Sequence, residues 1–564
     1  MLGELVGALM LGETVYPRTQ AESAAGIKEY AQTNSPGHIV DPYVRPGNVR
    51  RYGAVSGDNP KATYSGNTVA IQAALNSNRH VFGFKSGEVY MTHTLWPQSS
   101  QVIDLNGATL KLLAQSKYHS PVIMCSPAAR VVADRWYRDG ITTMEDVTIR
   151  NGCIDGNVSN NLNPAREKGV PGAVSNDGGM DGVRIANDAH RIKIDGLRIT
   201  NCFTDGVNIS HSGKGVSGSP LGVVMVDVDC DGNGRQGMSI SKGNGLSFTR
   251  CMFRNTYNEK LPRGPWAGVD IEPYSSVDDV TFTDCEFTGN SGVGFKGYIL
   301  RASEGSNWVF ENCNSRDNAR FDIEFSAGKG SSYRNIMINN SVFNKALAIQ
   351  GKEKSVFDLK LSNCTMGNSA LNGSAVIARA VSAGSLIQFS DCLIQSARKN
   401  KWAAPIDLAD IEGAELLVSG GVIKNYSPSP SICVLTKNDV VDCAIKFSGV
   451  VIEGGGTGLI CRGASNYYVD GGTTISGCDD YGVRAHGSSP QAYPKVYLGD
   501  CTIQDCGVGV SAHGAGLPIV QINGSRFVDC DTDTVGVNHS SANLKTGSAN
   551  TKQSIRKNSP QPPQ

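Results

Sequence analysis

Residues 267–298 read AGVDIEPYSSVDDVTFTDCEFTGNSGVGFKGY, and this stretch contains a phrase that returns along the chain. The phrase is an alternating apolar and polar run, a turn, a second alternating run that ends near a cysteine, and a polar turn. Asp-Ile-Glu at 270–272 recurs 52 residues later at 322–324, with Gly-Phe-Lys between them at 294–296. Alternation is typical of β-strands, and regular self-similarity indicates a repeat architecture.

The same phrase can be followed over residues 101–539, in a dozen or more units of 21–34 residues. Its glycine-rich turns and its β-branched and aromatic strand residues disfavour the helical repeat families. Parallel crossovers between strands of one sheet are almost always right-handed. The sequence therefore predicts an all-β protein whose main domain, 101–539, is a right-handed parallel β-helix, a single-stranded solenoid.

The two ends of the chain differ from the repeats. Residues 1–47 are punctuated by Pro and Gly, which predicts an N-terminal anchor or linker. Residues 48–100 precede the regular repeats and are expected to form the start of the β-helix. Residues 540–564 are polar and contain Pro, which predicts a disordered tail.

A capping helix is expected where the β-helix starts. The run NTVAIQAALN predicts a helix over residues 67–76, with Asn67 as its N-cap. Val69, Ile71 and Leu75 are its apolar positions. The first turn of a solenoid has an open end that must be covered, and an amphipathic helix would cover it.

Composition excludes two classes of partner. The 564 residues include 52 Lys+Arg and 52 Asp+Glu, so the zero net charge gives no general attraction to nucleic acid. No stretch approaches the 18 apolar residues of a membrane span, so we expect no membrane insertion. Residues 1–12 are apolar but contain Glu4 and no basic start, which predicts no export by a standard signal peptide.

The cysteines predict a ladder rather than disulfides. The chain has 16, with no Cys-x-x-Cys pair, and several end similar phrases about one or two repeats apart. A free cysteine buries readily as a small apolar side chain, and free thiols fit assembly in a reducing cytoplasm. The predicted stacked thiols are Cys202, Cys230, Cys251, Cys285, Cys313, Cys364 and Cys392.

Two phrases carry a family resemblance. VRRYGAV at 49–55 and NTVAIQAAL at 67–75, followed by a β-helix rich in Asn and Cys, resemble the pectate-lyase-like superfamily. They are also similar to the opening of bacteriophage tailspike proteins that depolymerise capsule or exopolysaccharide, and VYPRTQAESAAGI at 15–27 is similar to the linker ahead of such domains. The resemblance implies a homotrimeric virion protein of a phage tail, attached by its N-terminal segment. It implies assembly in the host cytoplasm and action on polysaccharide at the bacterial surface.

Outward-facing carboxylates are the candidate catalytic groups. Side chains alternate along a strand, so if Val269 and Ile271 point inward, Asp270 and Glu272 point outward. Alignment of the repeats predicts two outward columns, one with Asp270, Gly294 and Asp322 and the other with Glu272, Lys296 and Glu324.

The predicted spacings favour glycoside hydrolysis. Asp270 and Glu272 would be about 6.7 Å apart along one strand, and each would be about 9.6 Å from its counterpart two turns later. Inverting glycosidases hold two carboxyls about 6.5–9.5 Å apart, which leaves room for a water molecule. Asp270 and Glu272 are therefore the first candidates, followed by Glu324 and Asp322.

Nearby residues are candidates for holding substrate. Long loops at 155–180 and 255–268 lie on the same predicted edge, and loops on a rigid scaffold often carry binding residues. Aromatic rings there could stack on sugars or simply pack. The candidate substrate-binding residues are Lys296, Trp266, Tyr274, Tyr298, Arg263 and His211.

Other interpretations of the same face stay open. Glu272, Lys296 and Glu324 could form an alternating-sign ladder with a purely structural role. A polysaccharide lyase or epimerase would use a Lys, Tyr or His base, with calcium to bridge the acids and a uronate. Hydrolysis needs no cofactor and no metal site. A non-catalytic phage receptor-binding or adhesion protein could have the same fold.

Overall fold

The computed structural model shows one long coil of parallel strands. The described residues are 14–28, 38–59, 66–114, 120–127, 130–132, 135–137, 143–161, 180–210, 218–257, 264–273, 276–300, 302–367, 374–396, 404–427, 430–489, 492–514 and 518–536.

One side of the coil, here called the front face, is a 16-stranded sheet whose strands pair in parallel from turn to turn. Val440–Val441 lies off the main path and pairs with Ile406–Glu412. The other strands of the front face are Ile123–Cys125, Val183–Ala186, Asp205–Ser210, Gln236–Ile240, Val269–Ile271, Phe295–Ile299, Ile323–Ala327, Leu347–Gln350, Val376–Val381, Ile406–Glu412, Ile432–Thr436, Thr457–Cys461, Tyr481–Gly487, Val508–Gly514 and Thr532–Val535.

A 30-stranded sheet forms the other two sides. Val147–Asp155 and Lys193–Thr200 run through both of them. The second face also contains His80–Val81, Gln101–Asp104, Val224–Val226, Gly243–Thr249, Ser276–Thr283, Glu304–Glu311, Ser332–Asn339, Val356–Ser362, Leu386–Ser390, Glu415–Ser419, Ala444–Ser448, Asn466–Asp470, Lys495–Gly499 and Ile519–Asn523. The third face also contains Val89–Thr92, Thr109–Leu112, Asp229–Asp231, Met252–Arg254, Glu286–Thr288, Asn314–Arg316, Val342–Phe343, Thr365–Met366, Leu393–Ser396, Val422–Asn425, Val451–Gly454, Thr474–Ser476, Thr502–Gln504 and Arg526–Val528.

The remaining elements are short. Met144–Glu145 pairs in parallel with Ala189–His190, and Arg130–Val132 pairs antiparallel with Arg135–Tyr137. The helical elements are the α-helices Gln20–Ala24 and Gly66–Ser77 and the 3₁₀ helices Val49–Tyr52 and Val158–Asn160. None of the helices in the described ranges has the length and apolarity that a membrane crossing requires.

The core is a column of apolar side chains enclosed by the three faces. Phe282 stacks between Phe248 and Phe310, with ring centroids 4.8 and 5.1 Å apart. These rings come from successive turns of the second face, and all three are fully buried. Alternate residues supply this interior while their neighbours point outward. The predicted right-handed parallel β-helix is confirmed.

An asparagine ladder closes the corner that precedes the front face. Asn290 Nδ2 donates to Phe253 O at 3.1 Å and to Asn318 Oδ1 at 2.9 Å. Its Oδ1 accepts from the Thr256 N–H at 3.2 Å and from the Thr256 hydroxyl at 2.9 Å. Asn290 and Asn318 are buried, so their amides satisfy backbone groups that water does not reach.

Replacing Asn290 with alanine should lower the free energy of unfolding by about 1–3 kcal/mol, because several buried polar groups lose their partner. Asn244→Ala is the matched control, since Asn244 is an exposed strand residue of a preceding turn and should change stability by less than about 0.5 kcal/mol. Urea midpoints of the two variants measure the difference. Equal midpoints would contradict a structural role for the ladder.

The cysteines are free, and all but Cys153 and Cys530 are buried. The predicted ladder is confirmed for two runs, because the thiol of Cys285 contacts those of Cys251 and Cys313, and Cys364 contacts Cys392. Two predicted members lie in other columns. They are Cys202, whose N–H donates to Asn233, and Cys230, which pairs with Phe253.

The capping helix is present as Gly66–Ser77, one residue longer at each end than predicted. Asn67 is not its N-cap, since it lies inside the helix and its side chain exchanges two hydrogen bonds with the backbone of Val55 at 2.8 and 2.9 Å. Ile71 and Leu75 are buried as predicted. Val69 is 49% exposed, so its predicted place on the apolar side is wrong.

A buried ion pair joins the N-terminal segment to the start of the coil. Arg51 Nε donates to Glu22 Oε1 at 2.7 Å, and both side chains are fully buried. The guanidinium also donates to the carbonyls of Tyr16, Pro17 and Val44. Residues 14–28 therefore lie against the start of the β-helix. The boundary between 1–47 and 48–100 stays a prediction, and the predicted tail 540–564 lies outside the described residues.

Candidate functional site

The register of the front face differs from the predicted alignment by two residues at one step. Lys296 pairs with Asp270, and Glu324 pairs with Lys296. The predicted neighbour relation between Lys296 and Glu324 is confirmed. The predicted places of Gly294 beside Asp270 and of Lys296 beside Glu272 are wrong. Asp270 therefore has a cation beside it in its column, at the strand spacing of about 4.8 Å.

Asp322 does not lie in the Asp270 column, so that predicted placement is also wrong. Its side chain is buried at the start of its strand, where Oδ1 accepts from Asn318 Nδ2 at 2.8 Å and Oδ2 accepts from the Lys345 N–H at 2.6 Å. Burial raises the pKa of Asp322 to about 6, against the lowering effect of those hydrogen bonds. These contacts hold the turn together.

The raised pKa of Asp322 predicts a pH-dependent stability. Between its ordinary 3.8 and about 6, the folded state holds more protons than the unfolded state, so stability falls as pH rises through this range. The loss should be about 3 kcal/mol. Urea midpoints of wild type and Asp322→Asn, compared at pH 4 and pH 7, measure it, because the amide does not titrate. A constant difference between the two proteins would contradict the shift.

Two ion pairs with buried carboxylates lie on the turns before Asp270, and Arg184 of the first pair belongs to the Asp270 column. Arg184 Nε donates to Asp181 Oδ2 at 2.8 Å, and Thr204 Oγ1 donates to Oδ1 at 2.5 Å. Arg235 donates to both oxygens of Asp205, at 2.9 and 2.6 Å. Burial raises the pKa of Asp205, and this bidentate contact opposes the shift. Two of the acids on this face are thus already matched by arginines.

Asp270 occupies the most unusual environment on the front face. Its side chain points outward, yet the residue is only 1% exposed. Gln236 Nε2 donates to Oδ2 at 2.6 Å. Burial raises the pKa of Asp270 well above its ordinary value, and the charge of Glu272 adds to the rise, while Lys296 and Arg235 oppose it. The carboxyl is therefore biased toward its protonated, hydrogen-donating form.

Half-buried polar residues surround Asp270 toward the solvent. Glu272 lies two residues further along the same strand direction. Lys296 Nζ lies 4.8 Å from the centre of the Tyr298 ring. Ser326 Oγ donates to Glu324 Oε1 at 2.6 Å. One buried carboxyl, two accessible carboxylates and one ammonium thus share a small area.

Several buried polar atoms in this area have no hydrogen-bond partner within the described chain. Three are acceptors, namely Asn208 Oδ1, Gln236 Oε1 and Asp270 Oδ1, and the fourth is the donor Trp266 Nε1. An unsatisfied buried polar group costs about 1–3 kcal/mol, so natural structures rarely keep one without a use. These four atoms are covered and have their hydrogen-bonding capacity unused within the described chain.

Sequence reasoning missed Arg235, Gln236 and Asp205. A signal for two of them was present, because Asp181, Asp205 and Gln236 each precede a glycine at the start of a front-face strand. The glycine is required there, since a Cβ atom on Gly206 would lie 2.6 Å from the Gly237 carbonyl oxygen. A polar residue before such a glycine lies at the corner, next to the equivalent residues of the turns before and after it.

Three predicted substrate-binding residues, Arg263, Tyr274 and His211, lie outside the described residues. Their roles stay predictions. Trp266 and Tyr298 are half-buried.

A groove of about 370 Å³ lies on the second face of the coil. Its lining includes Arg334, Asp358 and Lys360, and Asp358 is paired with Lys360 at 3.8 Å. It contains one carboxylate between cations rather than several carboxyls, so the front face is the stronger candidate for acid–base chemistry. Within the described ranges no three His, Cys, Asp or Glu side chains are grouped to hold a metal ion.

Comparison with solved structures gives several distant similarities. ORF18 of Geobacillus virus E2 is 16% identical with a TM-score of 0.33, over 57% of this chain and 56% of that one. The mannuronan C-5 epimerase AlgE6 A-module of Azotobacter vinelandii is 13% identical with a TM-score of 0.37, over 85% and 98%. Tailspike protein 2 of Escherichia coli O157:H7 bacteriophage CAB120 is 12% identical with a TM-score of 0.34, over 59% and 44%.

The chain thus spans about half the length of both viral proteins. No curated protein sequence is significantly similar to it. Residues 181–377 match the family model described as "Right handed beta helix region". The matched segment contains Asp270 and the charged front-face residues described around it, from Asp181 to Glu324. The candidate site is therefore built on the outward side of a right-handed β-helix region.

Proposed function

We propose that this chain cleaves a bacterial surface polysaccharide, capsule or exopolysaccharide, by glycoside hydrolysis on the front face. The observation that carries the proposal is Asp270, an outward-pointing carboxyl that is buried, biased toward protonation and left with an unpaired Oδ1. A protonated carboxylic acid near neutral pH is what a glycosidase needs in order to donate a proton to the leaving sugar oxygen.

Glu272 is the proposed partner of Asp270. The backbones of residues two apart along a strand direction are separated by about 6.7 Å, and side chains at that spacing can place two carboxyls in the 6.5–9.5 Å range of inverting glycosidases. Glu272 is more exposed than Asp270, so it has the solvent access that a base needs to activate water. The two carboxyls then have opposite roles, because burial biases Asp270 toward its protonated form.

Glu324 and Lys296 are the proposed substrate-positioning groups, with Tyr298 as a ring on which a sugar can stack. Glu324 is held by Ser326, and Lys296 lies between Glu324 and Asp270 in the column. Asp322, first considered as a catalytic group, is assigned a structural role, since both of its oxygens accept hydrogen bonds from the adjoining turns.

β-Elimination or epimerisation of a uronic acid is the second candidate function. It is favoured by Lys296 lying over the half-buried Tyr298 ring, because lysine and tyrosine are residue types that can serve as the general base and the general acid of such a reaction, the base in its deprotonated form. The Arg184 and Arg235 ion pairs also reduce the negative charge that would repel a uronate. Calcium would be needed only if a carboxylate of the substrate had to be bridged to Glu272 or Glu324.

The biological setting rests on the resemblance of residues 49–55 and 67–75 to phage tailspikes. We propose a virion protein that is assembled in the host cytoplasm, forms a homotrimer and is attached to the phage tail through its N-terminal segment. The 16 free cysteines are compatible with a reducing compartment. An adhesin with this fold would bind the same polysaccharide without cleaving it.

Digestion of a panel of purified bacterial capsules and exopolysaccharides tests the proposal. Products are analysed by mass and by ultraviolet absorbance. Hydrolysis adds one water to each cleaved bond, whereas elimination leaves a C=C bond that absorbs. Saturated products support the proposed hydrolase, and unsaturated products support the second candidate. Binding without any cleavage across the panel would overturn both and favour the adhesin.

A further inference from the structure

A cluster of basic side chains lies at the far end of the front face. Arg462, Arg484, His486 and His513 occupy three consecutive turns of the same outward surface as Asp270. His486 pairs directly with His513, and Arg462 precedes His486 in the column. The cluster begins at Arg462, seven turns after Asp270, and Arg484 lies eight turns after it, which is roughly 38 Å at the spacing of neighbouring strands.

Contacts within the cluster fix the position of Arg484. Its Nε and Nη2 lie 3.1 and 2.9 Å from His513 Nε2, so that nitrogen accepts and the imidazole is neutral. His513 Nδ1 then carries the hydrogen and donates to Ser511 Oγ at 3.1 Å. The Arg484 guanidinium also lies 5.0 Å from the centre of the Tyr481 ring. Arg484 is thus pre-positioned without a carboxylate.

The positive charge of the cluster is uncompensated. Neither Arg462 nor Arg484 forms a salt bridge with a carboxylate of the described chain. Arg462 Nε and His486 Nδ1 are buried and have no hydrogen-bond partner there. Burial and the charge of Arg484 lower the pKa of Arg462, which shows that the two guanidiniums repel. An anion bound between them would relieve the repulsion and satisfy the unpaired nitrogens.

We propose that Arg462, Arg484 and His486 form an oxyanion-binding subsite for an acidic glycan, which binds through a sugar carboxylate or a phosphodiester. Guanidinium groups match the planar geometry of carboxylate and phosphate oxygens. The subsite rests on the proposed function because it requires the glycan to run along the front face. Only an extended polymer could contact this subsite and Asp270 together over roughly 38 Å.

The column between the two sites is compatible with a bound polymer. Asp407 is ion-paired with Arg379. The other members of the column are small or apolar, namely Ala348, Ile377, Leu435 and Ile460. Of these side chains, Ala348, Ile377 and Ile460 are covered, at 0%, 4% and 3% exposed, so this stretch presents no charge of its own that would repel an acidic polymer passing over it.

Binding by the full chain tests the subsite without requiring cleavage. The probes are an oligomer of glucuronic acid, a glycerol-phosphate polymer and neutral dextran, titrated by calorimetry. The wild type should bind at least one acidic probe and not dextran. Arg462→Gln and Arg484→Gln should each weaken that binding by about tenfold, because each removes a charge-assisted contact. His486→Gln, which should also weaken binding, is a second, independent variant.

Arg526→Gln is the matched control, since Arg526 is an exposed residue on the third face of the turn that contains His513. It should bind like wild type. If wild type binds only one acidic probe, that probe shows whether the subsite recognises carboxylates or phosphates. If it binds both, the subsite recognises the oxyanion geometry that they share. Unchanged binding in the arginine variants, or no binding of either acidic probe by wild type, would overturn the subsite. Binding with this pattern by a protein that cleaves no glycan would overturn only the proposed function.

Discussion

Asp270→Asn should lower the rate of polysaccharide cleavage by about 10²- to 10⁴-fold, the contribution typical of a positioned general acid. The amide has nearly the same shape, and it can still hydrogen-bond to Gln236, but it cannot donate a proton to a leaving oxygen. Substrate binding should change little. The measurement is the initial rate of release of reducing ends from a polysaccharide that the wild type degrades.

Asp278→Asn is the control for this prediction. Asp278 lies on the second face of the same turn, is half-buried, and accepts a hydrogen bond from Ser306 at 2.6 Å. Its replacement should leave the rate within about twofold of wild type, because surface substitutions away from a site have small effects. A similar loss in both variants would point to stability rather than chemistry. No loss in Asp270→Asn would remove Asp270 from the mechanism.

The pKa of Asp270 also fixes the direction of the pH dependence. A general acid works in its protonated form, so activity should fall as pH rises through its raised pKa. Glu272 must be ionised to act as a base, so activity should also fall at low pH. A bell-shaped profile is therefore expected, and Asp270→Asn should remove the dependence on the alkaline side.

Arg51→Met should cause the largest loss of stability, about 3–5 kcal/mol, because it leaves the Glu22 carboxylate buried without its cation. The guanidinium donates to both oxygens of Glu22 and to three backbone carbonyls. The loss should be local, since turns of a solenoid contact only their neighbours. Residues 14–28 should detach first. Trypsin cleavage after Arg18 and Lys28 should be about 10²- to 10⁴-fold faster, because cleavage follows the population of the open form when opening and closing are fast.

Arg50→Met is the matched control, because Arg50 is the exposed neighbour of Arg51. It should leave the tryptic rate near wild type. The double variant Glu22→Gln with Arg51→Met should recover part of the loss, because the buried charge is gone. A single variant no more sensitive to trypsin than the control would show that the ion pair does not hold the segment.

Protection of the N-terminal segment should also depend on pH. Burial alone would raise the pKa of Glu22, but hydrogen bonds from Arg51, Thr19 and Tyr52 together lower it below the ordinary 4.5. A carboxyl with a depressed folded-state pKa stabilises the fold above its unfolded pKa. Protection should therefore be complete above about pH 4.5 and decline as pH falls through the lower, folded-state value, and hydrogen exchange of residues 14–28 over a pH series measures it.

The fold could be predicted from sequence because every turn repeats the same alternation, so many weak signals agree. The register could not. The alignment slipped by two residues between the strands of Asp270 and Lys296, and a slip of two preserves which side chains point inward. All inward positions therefore stayed apolar in the wrong alignment. The observed register brings Gly268 close to the Gly294 carbonyl oxygen, where a Cβ atom would lie 2.6 Å from it, and this contact is absent from a strand pattern.

Alternation along the strands also predicts part of the candidate site. The alternation predicts which side chains point outward, because successive side chains of a strand lie on opposite faces. The outward residues found in this way are Asp270, Glu272, Lys296 and Glu324. The burial of Asp270 and its contact with Gln236 depend on neighbours from other turns, which a single strand pattern does not contain. Asp322 was misplaced because its side chain bonds within a corner, where strict alternation ends.

The protonation state of Asp270 is the most direct test of the account. Difference infrared spectroscopy of wild type minus Asp270→Asn, recorded over a pH series, isolates the C=O band of this one carboxyl. We predict a protonated carboxyl, whose C=O band is still present at pH values well above the ordinary pKa of 3.8 and disappears only at higher pH. A carboxylate already formed near pH 4 would contradict it, since an ionised Asp270 could not act as the general acid of the front face.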